Sequence, residues 1–159
     1  MSTAVAAVGR MKEKALRELA EEYGKRLGRF GKFEMMEVQD LPEPAAGAAA
    51  LEEQVKTREG EALLQRLRSG DWVIALTLSG RQTDSEGFAK HLAELRNRGT
   101  ARIVFLIGGS LGLGGNALRR ADEEISLSRM TFPHQLARVI LLEQLYRAEK
   151  ILAGERYHK

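Results

Sequence analysis

Apolar residues fall into two alternating rhythms along the chain. Short apolar stretches at residues 3–8, 33–38, 72–78, 103–107 and 125–127 have the length and branched composition of strands, several of them buried on both faces. Between them, apolar positions recur every three or four residues. Leu16, Leu19, Ala20, Tyr23 and Leu27 stripe residues 12–27; Leu51, Val55, Leu63, Leu64 and Leu67 stripe residues 51–67; Phe88, Leu92 and Leu95 stripe residues 85–98. These are amphipathic helices. Strands alternating with helices predict an α/β domain built on a mostly parallel sheet flanked by helices.

The breaks sharpen this picture. Pro42 and Pro44 set a loop between residues 40 and 50, Gly70 and Gly99 stop helices, and Pro133 opens the last one from its first turn. That last helix, residues 133–152, is apolar on three sides: Ala137, Leu141, Leu145, Ala148 and Leu152 on one, Val139, Leu142 and Tyr146 on another, Leu136, Ile140 and Ile151 on a third. Such a helix lies deep in its own core or against a second copy, and a two-fold dimer through it is the expectation.

The strand at residues 103–107 runs into Gly108, Gly109, Gly112, Gly114 and Gly115, five glycines in eight residues. Backbone without Cβ atoms can turn tightly there and approach a ligand closely. Open sheets bind ligands at the carboxyl ends of their strands. Two further loops compete for the same cleft: Ser79-Gly80-Arg81 after the third strand, and the polar segment before Pro133. Gly112 to Ala117 resembles a dinucleotide fingerprint, but it begins four residues past the strand, and Asp122, Glu123 and Glu124 precede the next strand instead of following it. There is no Gly-Lys-Ser/Thr phosphate loop.

At 159 residues and 43% hydrophobic composition, the chain suits one domain spanning 1–159. With no cysteine it has neither disulfides nor thiolate chemistry. No apolar run approaches the roughly 18 residues of a membrane span, so a soluble cytoplasmic protein is expected. The net charge is a modest +3, with a pI near 9.3. Eight basic residues between Arg10 and Lys32 face only four glutamates; they form either a solvated helix face or a phosphate-binding one.

At the carboxyl end, Arg156, Tyr157, His158 and Lys159 crowd titratable and hydrogen-bonding groups into four positions. His134 is a further candidate, either catalytic or bonded to backbone at a helix start. His91 is expected to be solvated. Arg129 is a surface arginine or a ligand for phosphate or carboxylate.

Four stretches carry a resemblance: Ala7-Val8-Gly9-Arg10; residues 105–113, Phe-Leu-Ile-Gly-Gly-Ser-Leu-Gly-Leu; residues 127–135, Leu-Ser-Arg-Met-Thr-Phe-Pro-His-Gln; and the ending Gly154-Glu155-Arg156-Tyr157-His158-Lys159. Together they resemble the RlmH group, small bacterial SPOUT-class methyltransferases of 23S ribosomal RNA, in order and over essentially the whole chain. The resemblance implies a SPOUT-type domain with a C-terminal trefoil knot, acting as a homodimer without metal. It implies S-adenosyl-L-methionine as methyl donor and N3 of a pseudouridine in a 23S rRNA stem-loop of the assembled ribosome as acceptor. Donor-binding residues would be Leu76, Gly108, Leu127, Ser128, Arg129, Met130, Thr131 and Phe132. Relatives often carry an acid where this chain has Thr77, so a contact made by that acid is in question. For the chemistry, the groups available to assist loss of the N3 proton are Arg156, Tyr157, His158 and His134. A dinucleotide-binding oxidoreductase and a non-catalytic ribosome-binding module stay open beside this reading.

Overall fold

The computed structural model describes residues 1–159. Five strands, β1 (Ser2–Val8), β2 (Phe33–Val38), β3 (Trp72–Arg81), β4 (Arg102–Ile107) and β5 (Glu123–Ile125), alternate with helices α1 (Lys14–Leu27), α2 (Ala49–Leu64), α3 (Ser85–Asn97), α4 (Gly115–Arg120) and α5 (His134–Leu152). All strand pairs are parallel, in the order β2-β1-β4-β3-β5. The expected α/β architecture is therefore present. β4 is buried along its full length, as its uninterrupted apolar run requires when both faces of a sheet are covered.

Pleating divides the strand side chains between two cores. Val5, Ala7, Ile74, Ile103, Phe105 and Ile107 pack with α1, α3 and α5. Ala4, Ala6, Val8, Val73, Val104 and Leu106 pack on the other face, with Leu63 of α2 and Ala117 of α4. Most of the apolar surface of α5 is used here, since Val139, Leu141, Leu142, Leu145 and Ala148 are buried in the chain's own core. Leu136 and Leu152 remain exposed.

Three sequence expectations need correction. The last strand lies at Glu123–Ile125 rather than 125–127, and Ser126 and Leu127 belong to the loop. Its charged residues conceal it: Glu123 accepts from Trp72 Nε1 at 2.7 Å and meets His91 Nε2 at 2.8 Å. His91 is thus engaged at the sheet edge and not merely solvated. Ser79-Gly80-Arg81 is part of β3 and not a loop after it; β3 bulges instead, with both Leu76 and Arg81 aligned to Ile125. Residues 77–79 bulge out of register, and Gly80 brings β3 back against the edge strand, where a Cβ would lie 2.5 Å from the Ile125 carbonyl carbon.

One buried charge ties α5 to the ends of the strands. Arg138, fully inaccessible, donates to Glu37 Oε2 at 2.7 Å and to the carbonyls of Val8 and Gly9 at 3.2 and 2.9 Å. Replacing it with methionine strands the Glu37 carboxylate and two carbonyls. A loss of about 3 kcal/mol in unfolding free energy is expected in urea titrations.

Candidate functional site

At the carboxyl ends of β3, β4 and β5 lies a cleft of about 850 Å³, in the size range of small-molecule sites. Its walls are the three segments singled out from sequence. Leu76, Thr77, Leu78 and Ser79 come from the β3 bulge, Ile107 to Leu113 from the glycine-rich turn, and Ser126 to Ser128 with Met130 to His134 from the loop before α5. Seven of the eight expected donor-binding residues line it: Leu76, Gly108, Leu127, Ser128, Met130, Thr131 and Phe132. Arg129 instead faces a shallower neighbouring hollow with Gln82 and Thr83.

The turn after β4 owes its shape to two glycines. Gly112 has φ +86°, a conformation that side chains disfavour. A Cβ on Gly108 would fall 2.7 Å from both the Gly112 carbonyl oxygen and the Leu113 nitrogen. The turn is folded onto Gly108, so this glycine matters first for the turn and only through it for a ligand. The loop before α5 is braced by serines: Ser126 Oγ donates to the Ser128 carbonyl at 2.9 Å, and Ser128 Oγ accepts from the Met130 amide at 3.0 Å.

Of the groups lining the cleft, only Glu124 carries a formal charge at neutral pH. Apolar walls, free backbone at a glycine turn and the absence of lysine or arginine suit a ligand with an aromatic base and a cationic centre. Thr77 Oγ1, buried in the β3 bulge without a hydrogen-bond partner, adds a polar group still to be satisfied. The residues therefore fit S-adenosyl-L-methionine. They fit a dinucleotide poorly. Gly114 and Gly115 do not line the cleft; a Cβ on Gly114 would lie 2.7 Å from the Lys56 carbonyl oxygen, and Asn116 Nδ2 donates to the Thr57 carbonyl at 2.9 Å. The apparent fingerprint is where α4 presses on α2.

The four candidate catalytic residues do not converge within one chain. His134 lines the cleft. Burial and the neighbouring Arg138 lower its pKa below the ordinary 6.5, and Lys12 adds to this, while Asp40 and Glu43 oppose it. The imidazole is consequently neutral at physiological pH and able to accept a proton. Tyr157 and His158 are held on the other side of the loop before α5. Tyr157 packs edge-on against Tyr146 with ring centroids 4.9 Å apart, lies under the Arg147 guanidinium and donates to Glu143 Oε1 at 3.2 Å. Burial pushes its phenol pKa well up. His158 sits 3.7 Å from Glu86 Oε1, beside a second hollow that shares Ser126, Leu127 and Phe132 with the cleft. Arg156 is exposed.

Sequence reasoning missed two residues here, Arg138 and Glu59. Arg138 stands one helical turn after His134 and so shares its face, a spacing that could have flagged it. Glu59 is 5% exposed, yet it lies in a helix crowded with charges, and nothing in the pattern marks it as the buried one.

A family model described as "Predicted SPOUT methyltransferase" matches residues 1–158. Two curated relatives named ribosomal RNA large subunit methyltransferase H, from Ruminiclostridium cellulolyticum and Bifidobacterium adolescentis, are each 50% identical over 159 residues, covering 100% of both chains. Among solved structures, a probable methyltransferase from Bordetella pertussis superposes with a TM-score of 0.53 at 12% identity, over 93% of this chain and 95% of that one. A probable methylase family protein from Haemophilus influenzae gives 0.53 at 11% identity, over 99% and 70%. These two likenesses concern the fold.

Proposed function

Since the chain belongs to the SPOUT methyltransferase family, we propose that it methylates large-subunit ribosomal RNA, using S-adenosyl-L-methionine held in the cleft above β3, β4 and β5. The observation that carries the reading is the meeting of Leu76, Gly108, Leu127, Ser128 and Met130 to Phe132 around one hollow that no lysine or arginine lines. The donor supplies an electrophilic methyl group on a sulfonium. The protein's part is to orient the acceptor and remove a proton from it. A uracil-type N3 carries a hydrogen that must leave before the nitrogen can attack. His134, neutral and at the cleft wall, takes that proton on an imidazole nitrogen. N3 of a pseudouridine in a 23S stem-loop of the assembled ribosome is the acceptor in this reading.

RNA reaches the cleft past Arg10, Lys12, Arg81 and Arg129, none of which has an ion-pair partner within the chain, so salt should weaken activity steeply. Exposed Leu78 and Met130 line the same cleft, and with exposed Leu136 of α5 they support a homodimer joined along the outer face of α5. Tyr157, His158 and Arg156, which do not line their own chain's cleft, then complete the acceptor pocket across that interface. The C-terminal trefoil threading and a cytoplasmic location belong to this reading too; no helix is long and apolar enough to cross a membrane.

The test is incubation of unmodified ribosomes with labelled donor and mass mapping of the large-subunit RNA. One methyl on one pseudouridine is expected, and RNA that binds without gaining mass would leave only a binding module. With neutral His134 as acceptor, the rate should hold from alkaline pH down through the ordinary imidazole value of 6.5 and fall only at lower pH, because the group's pKa is lowered. His134→Ala should slow transfer by about 100-fold, measured at saturating donor.

A further inference from the structure

Beneath the cleft is a buried acid that the proposed chemistry does not use. Glu59, on α2, has one hydrogen-bond donor in reach: its Oε2 accepts from the Leu41 amide at 3.0 Å. No cation pairs with it, and burial, with Asp40 and Glu43 nearby, raises its carboxyl pKa. Such a group is costly to bury, so what it holds matters.

It holds two segments at once. A Cβ added to Gly109, in the turn after β4, would lie 3.4 Å from each Glu59 carboxylate oxygen and 3.1 Å from Val8 Cγ1; the acid is thus packed directly against that turn. On its other side the Leu41 amide fixes the start of the loop at residues 40–48. Asp40 in turn packs on Gly9, where a Cβ would be 3.7 Å from the Asp40 Cβ and Cγ. Gly9 also offers its carbonyl to Arg138, one helical turn from His134. Gly60, the residue after Glu59, leaves room for the side chain of Asn116 of α4, which would have to shift if a Cβ were added there.

We propose that Glu59 is a positioning residue: by gripping the Leu41 amide beneath the Gly109 turn, it fixes the loop that carries Glu43 and Asp40, the latter packed on Gly9 beside Arg138, two carboxylates that act on His134 through space. The groups acting on His134 are Arg138 from its own helix, Lys12 from the segment after β1, and Asp40 and Glu43 from this loop. The first two favour the neutral ring and the last two the charged one. Glu59 therefore couples the shape of the donor turn to the electrostatics of the proton acceptor. This inference rests on the reading of His134 given above.

The test is proton NMR titration of the three histidines in the full-length chain, with hydrogen exchange at the Leu41 amide. In Glu59→Ala the loop is released, so the His134 midpoint should move further down while His91 and His158 stay put. Leu41 exchange should quicken at least about tenfold. Glu59→Gln, whose amide oxygen can still accept from Leu41, should restore both. Should Glu59→Ala fail to fold, the double variant Asp40→Asn, Glu43→Gln, changed only at exposed positions, must lower the His134 midpoint by itself. An unmoved midpoint in the folded variants, or a Leu41 amide indifferent to residue 59, overturns the proposal. Failure of the function is read separately: full turnover in His134→Ala would remove His134 as acceptor and leave the titration result standing.

Discussion

Deleting Tyr157, His158 and Lys159 is expected to abolish methyl transfer, by at least about a thousandfold, while leaving donor affinity within about twofold of the full chain. The separation follows from where the tail rests. Tyr157 and His158 are held by Tyr146, Arg147, Glu143 and Glu86, and none of these residues lines the donor cleft. Removing the tail thus costs the cleft no wall. Calorimetric titration with S-adenosyl-L-methionine and single-turnover transfer to ribosomes measure the two quantities independently. Loss of both together would mean that the tail supports the fold, and unchanged turnover would take it out of the mechanism. Mixing adds a sharper arm. A tail-deleted chain keeps its cleft, and a chain with a blocked cleft keeps its tail. If tails act across the dimer, an equal mixture regains about a quarter of full activity, since half the dimers are mixed and each holds one complete site. If each tail serves its own chain, the mixture stays inactive.

The fold was readable where the physics is local. Strands buried on both faces must be apolar throughout, so residues 103–107 announced themselves, and the stripe through Phe88, Leu92 and Leu95 identified α3 because helical period and burial coincide. β5 failed the same test. Its Glu123 is satisfied by Trp72 and His91, partners 51 and 32 positions away, and the apolar Leu127 that drew attention beyond it lines the cleft. α4 was missed for a related reason: six residues opening on glycine are too few for a period to show, and what holds them is the contact with α2.

At the site, the sequence disclosed the three segments but not how they meet. Glycines and a proline mark turns, and turns at strand ends are where ligands bind. The β3 bulge depends on a register shift against Ile125, which belongs to the pair of strands and to neither alone. Glu59 and Arg138 show the limit most plainly, since each sits in a helix rich in exposed charges. Which charge turns inward is decided by carbonyls and amides that other elements present. The apolar excess of α5 had two possible explanations, and its own core absorbs most of it, leaving Leu136 and Leu152 exposed on the helix.

The same distinction between what a residue touches and what it shapes governs the substitution Gly108→Val. Expected is loss of kcat/KM by at least about a thousandfold, the product of weakened donor binding and a misplaced methyl group. Valine cannot be accommodated by moving a flexible side chain, because the atoms in its way are the Gly112 carbonyl and the Leu113 amide. The turn itself must open, and Leu111 and Leu113, which wall the cleft, must move with it. Below the turn β4 is pinned on both sides by β1 and β3, so the strain is released upward into the cleft and the sheet stays intact. The protein should consequently stay folded, its melting temperature falling by about 2 to 12 °C for about 1 to 3 kcal/mol of overpacking, while calorimetry finds donor binding weakened by at least about a hundredfold. Gly112→Ala is the informative companion. Nothing lies within 4 Å of a Cβ there, so only the backbone conformation at φ +86° is penalised, and a smaller loss of about tenfold is expected. Equal losses at the two positions would mean that backbone strain, and not the crowding around Gly108, sets the turn; undiminished donor binding in Gly108→Val would place the donor outside this cleft.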